Sequence, residues 1–247
     1  MTEYEVTLHW LYVAVMFGSA VAFMVMSRDP KTVPQYKYLI HIMVVVWSGL
    51  AYSALAMGQG TTEVAGDTVM YARYIDWVVT TPLLLLSLTL TGKYTIQMHG
   101  PVTAGLMGSQ VIMIVTGLVA ELSTGFAKWY WYIAGCIALL VVLWLFWGPL
   151  LEKAKSQDKA IEDVYRKSAT YLTVQWLAYP LVWLIGTQGL GLLNTTATTT
   201  LFILLPIISK AGFGFFNLML LRNLPDSVKR QITDEMDPHL SARPGLA

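Results

Sequence analysis

Lys210 stands alone within the hydrophobic run Thr200–Leu221, a single amine in a segment long enough to cross a bilayer. A free lysine at that depth costs roughly 3 kcal/mol or more, so it must lose its proton or bond to something. The most economical account is covalent, an amine held ready to form a Schiff base with an aldehyde. Two other residues of fixed charge remain at depth once the loops are assigned, Arg73 and Asp76. Charges in a bilayer core are rare, mark sites and come with partners. Asp76 is then the counterion of a protonated Lys210 derivative, and Arg73 balances the pair on the outer side.

Helical geometry supports that pairing. At about 100° per residue, Thr80 and Ser87 fall within roughly 40° of Asp76, and Arg73 about 60° away. One face of this helix is therefore polar along its length, with Ser87 about 16 Å inward of Asp76. On the last span Pro206, Lys210 and Asn217 share a face within about 40°, and Asn217 lies about 10 Å from Lys210. Trp176, Tyr179, Pro180 and Trp183, at i, i+3, i+4 and i+7, line up bulky groups along one stripe, as a long flat polyene beside a buried amine would need. Pro180 and Pro206 should kink their helices and free backbone carbonyls.

The elements that hold these residues are membrane spans. The 247-residue chain is 55% hydrophobic and 13% charged, with 9 Trp and 13 Tyr, outside the usual soluble range. Apolar stretches at 6–27, 36–57, 70–91, 98–120, 129–151, 169–187 and 199–221 each approach the ~20 residues that a spanning helix needs. The expected fold is an all-α bundle of seven transmembrane helices over residues 1–224, multi-pass in the plasma membrane. Residues 225–247 form a mostly mobile cytoplasmic tail. Arg28, Lys31 and Lys37 flank the first loop, Lys93 lies in the third, and Lys153, Lys155, Lys159, Arg166 and Lys167 crowd the fifth. Alternate loops carry only Lys128 beside Glu63, Asp67 and Glu121. The excess of basic residues places the N-terminus outside and the C-terminus in the cytoplasm. Met1–Leu8, with Glu3 and Glu5 and no basic residue, does not read as a cleavable signal. Net charge of +1 suggests no nucleic-acid partner. Cys136, the single cysteine, excludes an internal disulfide and a cysteine-rich metal site, and no metal is expected.

Three segments resemble the microbial (type 1) rhodopsins: RYIDWVVTTPLLLLSL (Arg73–Leu88), YPLVWLIG (Tyr179–Gly186) and LPIISKAGFGF (Leu205–Phe215). The likeness covers residues 6–224 with the motifs in order. It implies retinal bound to Lys210 as a protonated Schiff base, with Asp76 as primary counterion. The implied pocket is walled by Trp77, Thr81, Leu84, Met113, Gly117, Trp131, Trp176, Tyr179 and Trp183. Within the family, LHWLYVAV, VPQYKYL, WSGLAY and YARYIDW read most like the Anabaena sensory rhodopsin and xenorhodopsin group. Pro206 stands where outward proton pumps carry a second aspartate, so it adjoins the retinal site.

That resemblance implies a photochemical and transport activity, not an enzyme. Ser87 replaces the internal carboxylic donor of outward pumps, while Gln188 and Thr198 replace their release glutamates. The expected function is light-driven inward proton translocation, as in xenorhodopsins. Asn217 departs from relatives with an accepting carboxylate there, which leaves waters, His41 or Asp29 to take the proton, and Ser48 joins the cytoplasmic polar set. The alternative is a photosensory receptor that signals to a soluble cytoplasmic transducer through the basic loops and the tail SVKRQITDEMDPHL. Family likeness also implies a homo-oligomer, a trimer or dimer.

Overall fold

The computed structural model describes residues 2–31, 33–92 and 100–229. Apolar rods of this length must satisfy every backbone N–H and C=O within themselves, which only a helix does. Seven long helices result: α1 (Glu3–Arg28), α2 (Gln35–Ala56), α3 (Tyr71–Gly92) and α4 (Gly100–Glu121), then α5 (Gly125–Lys155), α6 (Lys159–Ile185) and α7 (Thr195–Arg222). Each packs against its neighbour in sequence, and α7 closes the ring against α1 and α2. All but α6 are apolar enough along their length to count as spans unaided. α6 opens with Lys159, Glu162, Asp163, Arg166 and Lys167, so its charged turns extend the expected span 169–187 well beyond the apolar part.

Local signals set the helix ends. Thr2 and Glu5 form a reciprocal cap at the start of α1, satisfying two donors that a helix start leaves open. Asp158 and Asn194 cap α6 and α7 by accepting from Ala160 N and Ala197 N. Prolines act inside the rods. Pro149 lies within a widened π turn, Phe146–Leu150, in α5. Pro206 immediately precedes a second, Ile207–Gly212, in α7. A proline removes one N–H from the ladder and crowds the preceding turn, and a wider turn relieves both. Lys210 sits in that widened turn.

Two features depart from the sequence reading. The α2–α3 connection holds an antiparallel hairpin, β1 (Thr62–Val64) and β2 (Asp67–Val69), with Val64 opposite Asp67. Its turn residues Ala65 and Gly66 have φ of 53° and 90°, the left-handed pair that a two-residue hairpin turn demands. The tail also begins with structure: residues 226–229 form a helical turn, and Val228 is buried against α1–α2 core residues. The rest of the expected mobile tail lies outside the described residues, as does Lys93. The two ends of the bundle are called below the hairpin end and the basic end, the latter carrying Arg28, Lys153, Lys159 and Arg222.

Lipid-facing positions stay apolar, with Phe126, Leu140 and Trp144 exposed, while polar side chains turn inward. Close backbone approach matters where α7 meets α1. A Cβ built on Gly214 would stand 2.6 Å from the Phe23 ring and 3.2 Å from His41 Nδ1. Phe23 is fully buried and packed 4.6 Å from Phe215, so it has nowhere to move. Gly214→Val should therefore cost about 1–3 kcal/mol by overpacking, read as a lower midpoint for thermal loss of the visible absorption band.

Candidate functional site

The two polar stripes expected on α3 and α7 do face each other. Lys210 Nζ donates to Asp76 Oδ2 at 2.6 Å, with both side chains sealed from solvent. The same carboxylate oxygen accepts from Ser48 Oγ at 3.0 Å, and Ser48 is hydrogen-bonded at 2.5 Å to Tyr12. Thr80 instead returns its hydroxyl to the backbone carbonyl of Asp76. Ser48 thus belongs to the carboxylate, not to the cytoplasmic polar set in which the sequence reading put it. Tyr52 stacks on Tyr12, its ring 6.0 Å from Lys210 Nζ. Asp76 Oδ1 has no protein partner.

An apolar cavity lies among α3, α4, α5 and α6, and two of its lining residues adjoin this pair. Of the expected wall, Trp77, Thr81, Met113, Gly117, Trp176, Tyr179 and Trp183 line it. Trp77 is the chain neighbour of Asp76, and Tyr179 is hydrogen-bonded at 2.9 Å to Ser209, the neighbour of Lys210. Leu84, Trp131 and Pro206 are not among the lining residues. Leu84 packs behind, with Trp176 and Met113, and Trp131 lies among the rings around Trp183. Pro206 is buried at the turn before Lys210. Tyr132, Gln110 and Cys136 line the cavity without having been anticipated, because the charges of α4 and α5 lie toward their ends and no motif marks which face turns inward. An apolar cavity walled by the indoles of Trp77, Trp176 and Trp183, beside a buried amine paired to a carboxylate, fits a retinal chain. Lys210 would carry it, and the indoles would hold its polyene flat.

Toward the hairpin end, Arg73 lies 3.6 Å from Glu121 and 4.7 Å over the Phe202 ring, and Tyr74 donates its hydroxyl to Glu121. Glu121, read from the sequence as a loop charge, is a buried partner of Arg73. Thr198 accepts from Thr187 N, and Gln188 Oε1 has no protein partner. The hairpin end thus keeps buried carboxylates, Glu5 and Glu121, although Gln188 and Thr198 offer none.

Toward the basic end lies a second cluster. Ser87 Oγ is 3.1 Å from His41 Nε2 and 3.4 Å from Asn217 Oδ1. Asn217 Nδ2 donates to Ser168 Oγ at 2.9 Å and to Thr91 Oγ1 at 3.4 Å. Lys37 Nζ donates to the Ser87 carbonyl at 2.6 Å and to Thr91 Oγ1 at 2.8 Å. Lys37, expected at a loop margin, is fully buried. It was legible in part: Lys37, His41, Ser48 and Tyr52 share one face of α2 at helical spacing. Asp29 stands apart, exposed and 3.7 Å from Arg222.

A family description, bacteriorhodopsin-like protein, matches residues 3–224. Archaerhodopsin-3 of Halorubrum sodomense is 38% identical over 187 residues, 73% of this chain and 70% of that protein. Sensory rhodopsin-2 of Natronomonas pharaonis is 29% identical over 212 residues, covering 86% and 87%. The crystal structure of the light-driven proton pump rhodopsin of Coccomyxa subellipsoidea superposes with a TM-score of 0.81 at 31% identity, over 89% of this chain and 97% of that one. Borohydride reduction followed by mass spectrometry should leave a retinyl mass on the Lys210 peptide, and Lys210→Ala should leave none. Asp76→Asn should move the absorption maximum to longer wavelength, since losing a counterion destabilises a ground state whose charge sits on the nitrogen; a spectrum unchanged across pH would remove Asp76 from that role. The fold, the paired amine and these relatives converge: the chain belongs to the bacteriorhodopsin-like family of microbial rhodopsins, multi-pass membrane proteins that absorb light through retinal bound by a Schiff base to lysine.

Proposed function

We propose that this protein moves protons inward under light, from the hairpin end outside the plasma membrane to the basic end in the cytoplasm, in the manner of the xenorhodopsins. Retinal on Lys210 supplies light absorption and an isomerisation that re-aims the proton at the Lys210 nitrogen. The chain's own residues do the rest. Asp76 holds that proton through its 2.6 Å contact with Lys210 Nζ, and Ser48 keeps the carboxylate oriented.

One observation carries the direction. The cluster at the basic end is built from Lys37, His41, Ser87, Thr91, Ser168 and Asn217, and none of these has a carboxyl group to donate a proton outward. It does contain an imidazole, whose ring nitrogen Nε2 lies 3.1 Å from Ser87 Oγ and offers a site for a proton. His41 is the acceptor in this reading, and Asp29 is set aside by its exposed pairing with Arg222. An apolar belt separates donor from acceptor: Val44, Leu84 and Phe213 lie at intermediate heights on α2, α3 and α7 and belong to one buried cluster. Water must enter there for a proton to cross. On the outer side, Arg73 and Glu121 line the route by which Asp76 and the Lys210 nitrogen are resupplied.

Illuminating cells or sealed vesicles should alkalinise the outer medium in an uncoupler-sensitive way, and acidification or no signal removes the pump. His41→Gln should cut the rate about tenfold or more, as loss of a positioned proton acceptor does. A second reading, photosensory signalling to a soluble transducer, is favoured by the amide at Asn217, which takes up no proton, and by similarity to a sensory rhodopsin. It requires light-dependent capture of a soluble partner by the purified full-length chain.

A further inference from the structure

Lys37 is a buried cation that the photochemistry at Lys210 does not use. It sits in the first turn of α2, and its four-carbon stem carries the amine inward to α3. There it donates to the Ser87 carbonyl at 2.6 Å and to Thr91 Oγ1 at 2.8 Å. One turn further along the same face, His41 Nε2 reaches Ser87 Oγ at 3.1 Å. The amine and the imidazole therefore meet the same residue of α3. Thr91 also accepts from Asn217 of α7, which in turn donates to Ser168 of α6. Ser87, Thr91, His41, Asn217 and Ser168 thus join the amine in one polar cluster spanning α2, α3, α6 and α7. All six side chains are sealed from solvent. On the cytoplasmic side of them, Arg222 ties α7 to α1, the first loop and α2 by donating to Met26 O, Asp29 O and Tyr38 OH. Lys37 stands between the His41–Ser87 pair and that closure.

We infer that Lys37 is the residue that exchanges protons with the cytoplasm, releasing one from its ammonium and regaining one through His41. An N–H bond at Lys37 Nζ breaks as its proton passes to water at the basic end, leaving a neutral amine. His41, protonated by the proton that left Lys210 Nζ, then gives up its Nε2 proton, and the N–H bond at Lys37 Nζ re-forms. The sum is one proton carried inward, with both side chains returned to their starting states. An ammonium suits this role and a guanidinium does not, because arginine keeps its charge in proteins whereas lysine can release a proton. Placing a second positive charge near an ammonium is unfavourable, so protonating His41 itself favours release from Lys37. The order of events, cytoplasmic release followed by recharging, follows from that repulsion.

The inference rests on the inward reading for its direction only, and two measurements separate them. The first compares the wild type with Lys37→Arg and Lys37→Met after a flash, using a pH dye on the cytoplasmic side of oriented vesicles. Both variants should delay the cytoplasmic proton signal about tenfold or more, with the initial light-induced absorbance change intact. Lys37→Arg retains the charge and the donors, so wild-type timing in that variant overturns the inference by reducing Lys37 to a structural cation. The second needs no substitution. The 15N signal of the Lys37 side chain in retinal-loaded protein should switch between ammonium and amine when the intermediate lacking a proton on the Lys210 nitrogen is trapped. A signal that stays ammonium throughout overturns it even where the variants fail to assemble. Net acidification of the outer medium by the wild type defeats the inward reading, while these two measurements still decide Lys37.

Discussion

Removing an amine and a carboxylate from water at mid-membrane costs several kcal/mol per ion, and only close contact with further hydrogen bonds recovers it. The Lys210–Asp76 contact at 2.6 Å is that recovery, and much of the interior is arranged to permit it. Pro206 widens the turn that carries Lys210, bringing the amine to α3 rather than leaving it along the helix. Ser48 of α2 joins Lys210 on one carboxylate oxygen, and Tyr12 extends the network into α1 by bonding Ser48. The other oxygen remains without a protein partner, which leaves Asp76 able to hold a proton as well as a charge.

From that pair the interior divides by chemistry. Toward the hairpin end, Arg73, Glu121 and Tyr74 form a compact charged group in which the guanidinium is balanced by a carboxylate and covered by the Phe202 face. Toward the basic end the fully buried cluster around Lys37 and His41 contains no carboxylate, and an apolar belt stands between it and Lys210. The buried carboxylate Glu121 thus lies on one side of the pair and the buried amine Lys37 on the other. Two basic side chains there, Lys37 and His41, meet the same residue of α3, Ser87.

How much of this was readable depended on contrast. Lys210, Asp76 and Arg73 stood out because a charge in an apolar run has few innocent explanations, and their pairing followed from helical phase. Lys37 and Glu121 carry the same chemistry yet resembled loop residues, because each lies within one turn of a span's end, where a charge normally reaches water. Lys37 instead turns its stem inward, and Glu121 folds back against Arg73. Ser48 was assigned to the wrong half because α2 has no fixed charge near its middle from which to measure depth. The cavity wall was readable on α3 and α6, whose motifs name their inward faces, and poorly so on α5, where Tyr132 rather than Trp131 lines it.

The amino-acid order alone determined the membrane class, the seven rods, the amine that holds the chromophore and the carboxylate that faces it. Those follow from hydrophobic length and from the expense of isolated charge, both properties of a segment in its solvent. Tertiary structure alone decided which buried groups meet across helices: Ser48 hydrogen-bonded to Asp76, Glu121 ion-paired with Arg73, and Lys37 hydrogen-bonded to Ser87. Such contacts depend on the rotation and relative height of neighbouring rods to within about an ångström, because hydrogen bonds weaken steeply beyond their narrow range of length, and no single segment encodes that registration.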